Sequence, residues 1–185
     1  MSSEIIDTNV LIMATAGSLG GKAPAAMAAR GETVGCDDLS LQTRLWDWLK
    51  AFRHDPERKL VLDFPRLTIK QEYANKLGKD EFGMRVVLEK ISRGEYERVD
   101  LTYSPNGSEL VAELPDELQA VVHDLGDRKL VAAAMESGAA IHNATDTDWY
   151  DWQAPLEDVG VFVVHLIEDW SRPLWESKKA KRVSP

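Results

Sequence analysis

Short apolar runs separated by segments of helical periodicity constrain this chain more than any other feature. Strands that alternate with helices bury both of their faces in a mostly parallel sheet covered on each side by helices. Apolar runs fall at residues 4–7, 59–63, 139–143 and 161–166. Between them, Asp38 or Ser40 caps a predicted helix over 41–54, with Leu41, Leu45, Trp48, Leu49 and Phe52 on one face. Pro65 begins another predicted helix, reaching about residue 77. A third covers 79–92, with Phe82, Val86, Leu88 and Ile91 apolar and Gly94 at its end. Helices are also predicted over 115–122 and 127–137; in the latter, Leu130, Val131, Ala134 and Met135 are expected to pack before Gly138 stops it. Within 98–114, Val99, Leu101 and Tyr103 alternate like a strand before a Pro105-Asn106-Gly107 turn, which predicts a hairpin. The expected fold is α/β, a three-layer α/β/α sandwich with a mostly parallel central sheet.

With 185 residues and 44% hydrophobic content, the chain has material for one sizeable core. One domain over 1–170 is expected. An insertion at about 14–37, Gly- and Ala-rich without a sustained apolar period, is read as a loop or loose helix, and residues 171–185 as a basic tail with solvated Lys178, Lys179, Lys181 and Arg182. The lone Cys36 excludes an internal disulfide framework and cysteine-rich zinc sites. No basic leader precedes the first strand, and no apolar run approaches the roughly 20 residues of a membrane span, so a soluble, cytoplasmic protein without a membrane partner is expected. The net charge of -9, from 22 basic and 31 acidic residues, argues against a whole-surface coat on nucleic acid. It leaves room for a nuclease, because clustered carboxylates gather divalent cations that offset the local repulsion.

Several acids stand where such a cluster belongs. Asp7 ends the run Glu4-Ile5-Ile6, and ligands of open α/β sheets bind at the carboxyl ends of strands. Glu72 lies in the 65–77 helix, Asp127 opens the 127–137 helix, and Asp146 and Asp148 follow the 139–143 strand in Thr145-Asp146-Thr147-Asp148-Trp149. Each has an ordinary structural role available to it: Asp7 and Asp127 as helix caps, Glu72 as a solvated helix residue, Asp146 or Asp148 in an Asx-turn. As an ordered set they suit phosphodiester hydrolysis. That reaction needs charge stabilisation and a strong oxygen nucleophile at neutral pH, and Mg²⁺ or Mn²⁺ held by carboxylates supplies both. Lys129, two positions after Asp127, and Lys70, two before Glu72, are candidate contacts to the scissile strand. Trp149 and Tyr150 are read as core or lid residues. Rival motifs fail: Ala16 occupies the first glycine position of a phosphate loop, Ala23 follows Lys22 where a hydroxyl is required, and the histidines match no zinc spacing.

The order Asp7-Thr8-Asn9, helix glutamate, Asp127 before an Ala-rich helix, then Thr-Asp-x-Asp-aromatic resembles the PIN-domain family of metal-dependent nucleases over most of the chain. The resemblance implies Asp7, Glu72, Asp127 and Asp146 as catalytic metal ligands, with Asp148 as a further ligand or water-mediated contact. Thr8 and Asn9 would organise the loop and phosphate-side hydrogen bonds. It implies an endoribonuclease that leaves a 3′-hydroxyl and a 5′-phosphate, an RNA substrate, and a homodimer with adjacent sites. Many members are VapC-like toxins whose antitoxin protein covers the site; the 14–37 insertion, the 92–115 segment and the tail depart from those compact toxins. Two other classes fit the same residues: a noncatalytic module binding RNA or protein, and a DNA-directed nuclease of defence or repair.

Overall fold

The computed structural model describes residues 2–107 and 109–183. Strand β1 (Ser2–Ile6) leads into helix α1 (Thr8–Ser18), the short helix α2 (Ala25–Ala28) and helix α3 (Leu39–His54). Strand β2 (Arg58–Phe64) is followed by α4 (Thr68–Lys76) and α5 (Phe82–Ser92), and then by β3 (Tyr96–Asp100). A separate hairpin of β4 (Tyr103–Asn106) and β5 (Glu109–Ala112) precedes α6 (Asp116–Gln119) and α7 (Arg128–Ser137). The remainder is β6 (Ala140–Asn143), α8 (Asp148–Asp158), β7 (Val163–His165) and α9 (Glu168–Val183).

The main sheet is wholly parallel in the order β3-β2-β1-β6-β7. From the central β1 the chain moves outward to β2 and β3, then returns to build the other side with β6 and β7. Right-handed crossovers therefore set the helices of the two halves on opposite faces. Helices α1, α3 and α5 pack together in one layer, and α7 lies across β1, β2, β3 and β6 in the other. Ile5, Ile6, Leu60, Val61, Leu62 and Ile141 are fully buried, as strands covered on both faces require. The direction of winding reverses between β1 and β6, so the carboxyl ends of these two strands flank the crevice where such sheets take ligands. Among the described residues no helix is long and apolar enough to cross a membrane.

The expected three-layer α/β fold is present, with local differences. Val99 belongs to β3 of the main sheet, and the hairpin starts only at Tyr103; Gly107 turns it with a left-handed φ of 62°. Pro65 lies in the turn after β2, and α4 begins three residues later at Thr68, after Leu67 in a left-handed conformation. Residues 14–18 extend α1 rather than opening a loop. Their small side chains serve a close helix crossing: a Cβ on Gly17 would stand 2.3 Å from the Gln42 carbonyl oxygen, so α1 and α3 meet backbone to backbone. Met135 is 40% exposed on the outer side of α7, unlike its predicted partners Leu130, Val131 and Ala134. Residues 148–158 form α8 despite Pro155, and residues 171–183 continue α9, where buried Ser171 meets the Tyr150 hydroxyl at 2.8 Å.

One carboxylate ties the tip of β2 to both α4 and the hairpin. Asp63, 1% exposed, accepts the Ile69 N–H through Oδ1 and the Thr68 N–H through Oδ2, each at 2.9 Å, thereby capping α4. The Thr68 and Tyr103 hydroxyls also lie against Oδ2, at 3.0 and 2.9 Å, so the same group secures β4. Replacing it strands several buried donors at once. We expect Asp63→Ala to lower the unfolding free energy in urea by about 3 kcal/mol, a lost cap plus unsatisfied buried donors. A change below about 0.5 kcal/mol, the usual range of an exposed substitution, would show that Asp63 does not hold these elements.

Candidate metal centre

Asp7 is the residue between the last position of β1 and the first turn of α1. Its main chain is pinned to β6 through a 3.0 Å bond from its N–H to the His142 carbonyl. Its carboxylate is buried and accepts two hydrogen bonds, from the Asn9 N–H to Oδ1 at 3.1 Å and from the Trp149 indole N–H to Oδ2 at 2.9 Å. Asp146 lies in the loop after β6, where its Oδ1 accepts the Asp148 N–H at 2.9 Å. Both ordinary roles read from the sequence, the helix cap and the Asx-turn, are thus filled by these carboxylates. Asp127 behaves differently. It occupies the N-cap position of α7 yet makes no capping hydrogen bond with its side chain. One carboxylate oxygen from each of Asp7, Asp127 and Asp146 lies within 4.8 Å of the others.

The loop that carries Asp146 is held by amides. Asn143, fully buried at the end of β6, accepts the Asp146 N–H at 3.2 Å and donates to the Asp146 carbonyl at 2.7 Å. Asn9 donates to Asn143 Oδ1 at 3.0 Å and accepts the Ala144 N–H at 2.8 Å, stapling the start of α1 to the same loop. Behind Asn143, its second amide hydrogen meets His165 Nδ1 at 3.0 Å. Burial pushes the His165 ring down to about 4, so it stays neutral and Nδ1 remains an acceptor.

Burial is also the main influence on the acids. It pushes Asp7 up to about 7, with the Asp146 and Glu72 charges adding to the rise, and Asp127 up to about 9, with Asp7, Asp124 and Asp146 adding to it. Asp146 is raised as well, again chiefly by burial. Among the described residues, no basic side chain pairs with any of the three. The nearby cations make their hydrogen bonds and ion pairs elsewhere: Arg128 with the carbonyls of Val122 and Gln119, Lys129 with Glu72 and the Gly126 carbonyl, and Lys178 with the Thr147 hydroxyl. The Lys178 charge still partly offsets the rise of Asp146. Three converging carboxylates with no ion pair among the described residues form a hard oxygen donor set that could hold a metal ion.

The other residues singled out in the sequence surround this centre unequally. Glu72 is outside the triad: it takes a short hydrogen bond from the Thr8 hydroxyl and an ion pair from Lys129 at 2.5 Å. Asp148 opens α8 as an exposed residue, touching the triad through its N–H. Lys70 shares α4 with Glu72, but two residues along a helix turn the side chain by about 200°, so it faces away from the Glu72–Lys129 pair. Two contributors were not assigned to the site from sequence. Trp149, expected in the core or a lid, is fully buried and also donates to Asp7. Asp124, three residues before Asp127, adds its charge to both Asp127 and Asp146. The role of Trp149 leaves no local signal, since it acts through a contact between distant elements, whereas Asp124 lies close to Asp127 in the chain. Comparison with protein-family models, with curated proteins and with solved structures found no match to this chain.

The raised acids set a stability profile. Unfolded carboxylates release their protons near pH 4, whereas folded Asp7 and Asp127 hold theirs up to about 7 and about 9. Between those limits the folded chain binds more protons, so its stability falls as pH rises. We expect the metal-free melting temperature to drop between about pH 5 and about pH 8, and Mg²⁺ or Mn²⁺ to raise it, more strongly at the higher pH where protons compete less. Asp127→Asn is expected to melt higher than the parent without metal at about pH 8 and to lose the response to cation. Scanning fluorimetry across pH with EDTA or metal decides; a flat profile and no metal response would mean that the triad does not act as a cation site. Trp149→Phe keeps the ring packing but removes the N–H that orients Asp7, and we expect about tenfold weaker Mn²⁺ binding by calorimetry. Unchanged affinity would leave the indole a purely structural part.

Proposed function

We propose that the chain is a Mg²⁺- or Mn²⁺-dependent endoribonuclease of the PIN kind, in which Asp7, Asp127 and Asp146 hold the cation. Glu72 and Asp148 serve it from the rim, as a further ligand or through water. The observation that carries this reading is the convergence of three carboxylates, unpaired with any base, at the carboxyl ends of parallel strands where the winding reverses. When bound there, the ion supplies Lewis acidity toward a phosphate oxygen and acidifies the water that attacks. No serine or cysteine nucleophile is then needed. The chain's own residues orient and balance charge. Trp149 and the Asn9 N–H keep the Asp7 carboxylate aimed, Asn9 and Asn143 keep the Asp146 loop in place, and Lys129 at the rim meets the phosphate of the scissile strand. Water attack rather than attack by a 2′-hydroxyl leaves a 3′-hydroxyl and a 5′-phosphate.

The same reading carries two proposals for partners: an antitoxin-like protein that covers the acid cluster, and a homodimer whose sites lie side by side. Light scattering of the purified chain tests the second directly.

The function is tested by incubating the protein with single-stranded RNA, structured RNA and single-stranded DNA in Mn²⁺ or Mg²⁺. Metal-dependent cutting of RNA is expected, with EDTA abolishing it and Asp7→Asn or Asp127→Asn leaving below about 1% of the rate, as for loss of a ligand to a catalytic ion. Equal cutting of DNA would move the assignment to a DNA-directed nuclease. Metal-loaded protein that binds RNA and cuts nothing would overturn catalysis in favour of a binding module.

A further inference from the structure

A groove of about 650 Å³ opens between α4, the β4–β5 hairpin and the turn at 125–129, and its near wall includes Glu72 and Lys129 at the rim of the acid cluster. Its far walls are made of Arg66, Gln71, Asn75, Tyr103 and Leu110. Gln71 and Asn75 are four residues apart and project from one face of α4. Both are exposed. The Asn75 amide has no hydrogen-bond partner among the described residues, and Gln71 makes only a long contact of 3.4 Å to the Arg66 carbonyl. A carboxamide sets a donor beside an acceptor, the pattern with which Asn and Gln read the edge of a base. Arg66 pairs with no carboxylate among the described residues; its guanidinium stands 5.5 Å from the centre of the Tyr103 ring, a planar cation on which a base stacks. Leu110, 47% exposed, and Leu125, 36% exposed, offer apolar contact to a base face.

Charge selects the part of a strand that belongs there. Lys129 and Glu72 neutralise each other, and Arg66 faces a wall that also holds Glu109, so the groove has little net charge and suits a neutral base better than a run of phosphates. Its volume is that of a pocket for a small molecule, and amides reach the pairing edge only of an unpaired base.

We infer that this groove is a base-reading subsite: it takes one unpaired nucleotide beside the scissile bond, with Gln71 and Asn75 reading its edge and Arg66 and Tyr103 stacking on it. The inference rests on the nuclease reading for the position of the scissile bond, and two measurements separate their failures. The first is photocrosslinking of a short single-stranded RNA carrying 4-thiouridine to the full chain in EDTA, with the adducts mapped by mass spectrometry. Adducts on residues 71–75, Tyr103 or 109–112 are expected whether or not the protein cuts; adducts only elsewhere, or no binding, would overturn the subsite. The second is sequencing of the ends cut from a random RNA pool in Mn²⁺. Wild type is expected to prefer one base at one position next to the cut, and Asn75→Ala or Gln71→Ala to flatten that preference about tenfold, the discrimination of one bidentate amide–base pair. A profile unchanged by either substitution overturns the inference even when cutting is robust. If wild type cuts nothing, the nuclease reading falls and the adduct map alone decides the groove. The substituted side chains are exposed, so an unchanged melting temperature separates loss of reading from loss of fold.

Discussion

The burial of Asp7, Asp127 and Asp146 beside one another, with like-charge repulsion adding to its cost, is the constraint around which the carboxyl end of the sheet is built. Their oxygens converge within 4.8 Å in a crevice that water enters poorly, and burial alone already penalises each ionised form. A loop would relax by swinging the groups apart. Here the backbone allows little of that, since β1 is paired on both sides, to β2 and β6, and Asp7 continues the ladder with its bond to His142. The side chains that hold the acids in place are neutral: the Asn9 and Asn143 amides, the Trp149 indole and the uncharged His165 ring. Neutral supports fix position without cancelling charge, whereas an arginine at any of these places would have fixed position by forming an ion pair. The cluster therefore keeps an arrangement that could hold a cation.

The basic residues near the site follow the same division. Lys129 stands one turn into the acid region but is taken by Glu72, a carboxylate from a different helix. That pair joins α4 to α7 and forms the boundary between the crevice and the groove beyond it. Glu72 lies close enough for its charge to raise Asp7 and Asp127, yet its own charge is answered by lysine and a threonine hydroxyl. Three acids that form no ion pair among the described residues and one that does amount to two chemical environments within one constellation.

How much of this was legible in the sequence depends on the range of the interaction involved. Apolar runs and their spacing specified the parallel sheet, because the burial of β1, β2 and β6 on both faces leaves a local record in the residues themselves. The three aspartates were singled out in the sequence together with Glu72 and Asp148, because each of the three lies at or near an element boundary that the sequence marks. What failed was whatever needed a distant partner. The Ala- and Gly-rich residues 14–18 read as loop because the advantage of a small side chain there is the approach of the Gln42 backbone, which no local pattern records. Lys70 is near Glu72 by residue count, while helix geometry turns it away. The indole of Trp149 suggested packing, and only the fold shows that 142 residues separate it from the carboxylate it orients. Val99 and Tyr103 read as a single strand, although the chain leaves the main sheet between them to start a new hairpin.

That hairpin also explains how the crevice and the groove keep a constant relation to one another. Asp63 caps α4 at the tip of β2 and holds Tyr103 of β4 through the same carboxylate oxygen that receives the Thr68 N–H. The helix that presents Gln71, Glu72 and Asn75 and the hairpin that presents Tyr103 and Leu110 are therefore referenced to one buried atom at the end of one strand. β2 is itself hydrogen-bonded to β1, whose tip carries Asp7. A chain of rigid pairings thus runs from the acid cluster through two neighbouring strands to both walls of the groove. Displacing either wall relative to the cluster requires breaking the buried hydrogen bonds of Asp63 or the parallel ladder, and both are protected from water. Geometry set this far inside the core is what a site needs if it is to select a position along a flexible strand, because the strand itself contributes no rigidity to the choice.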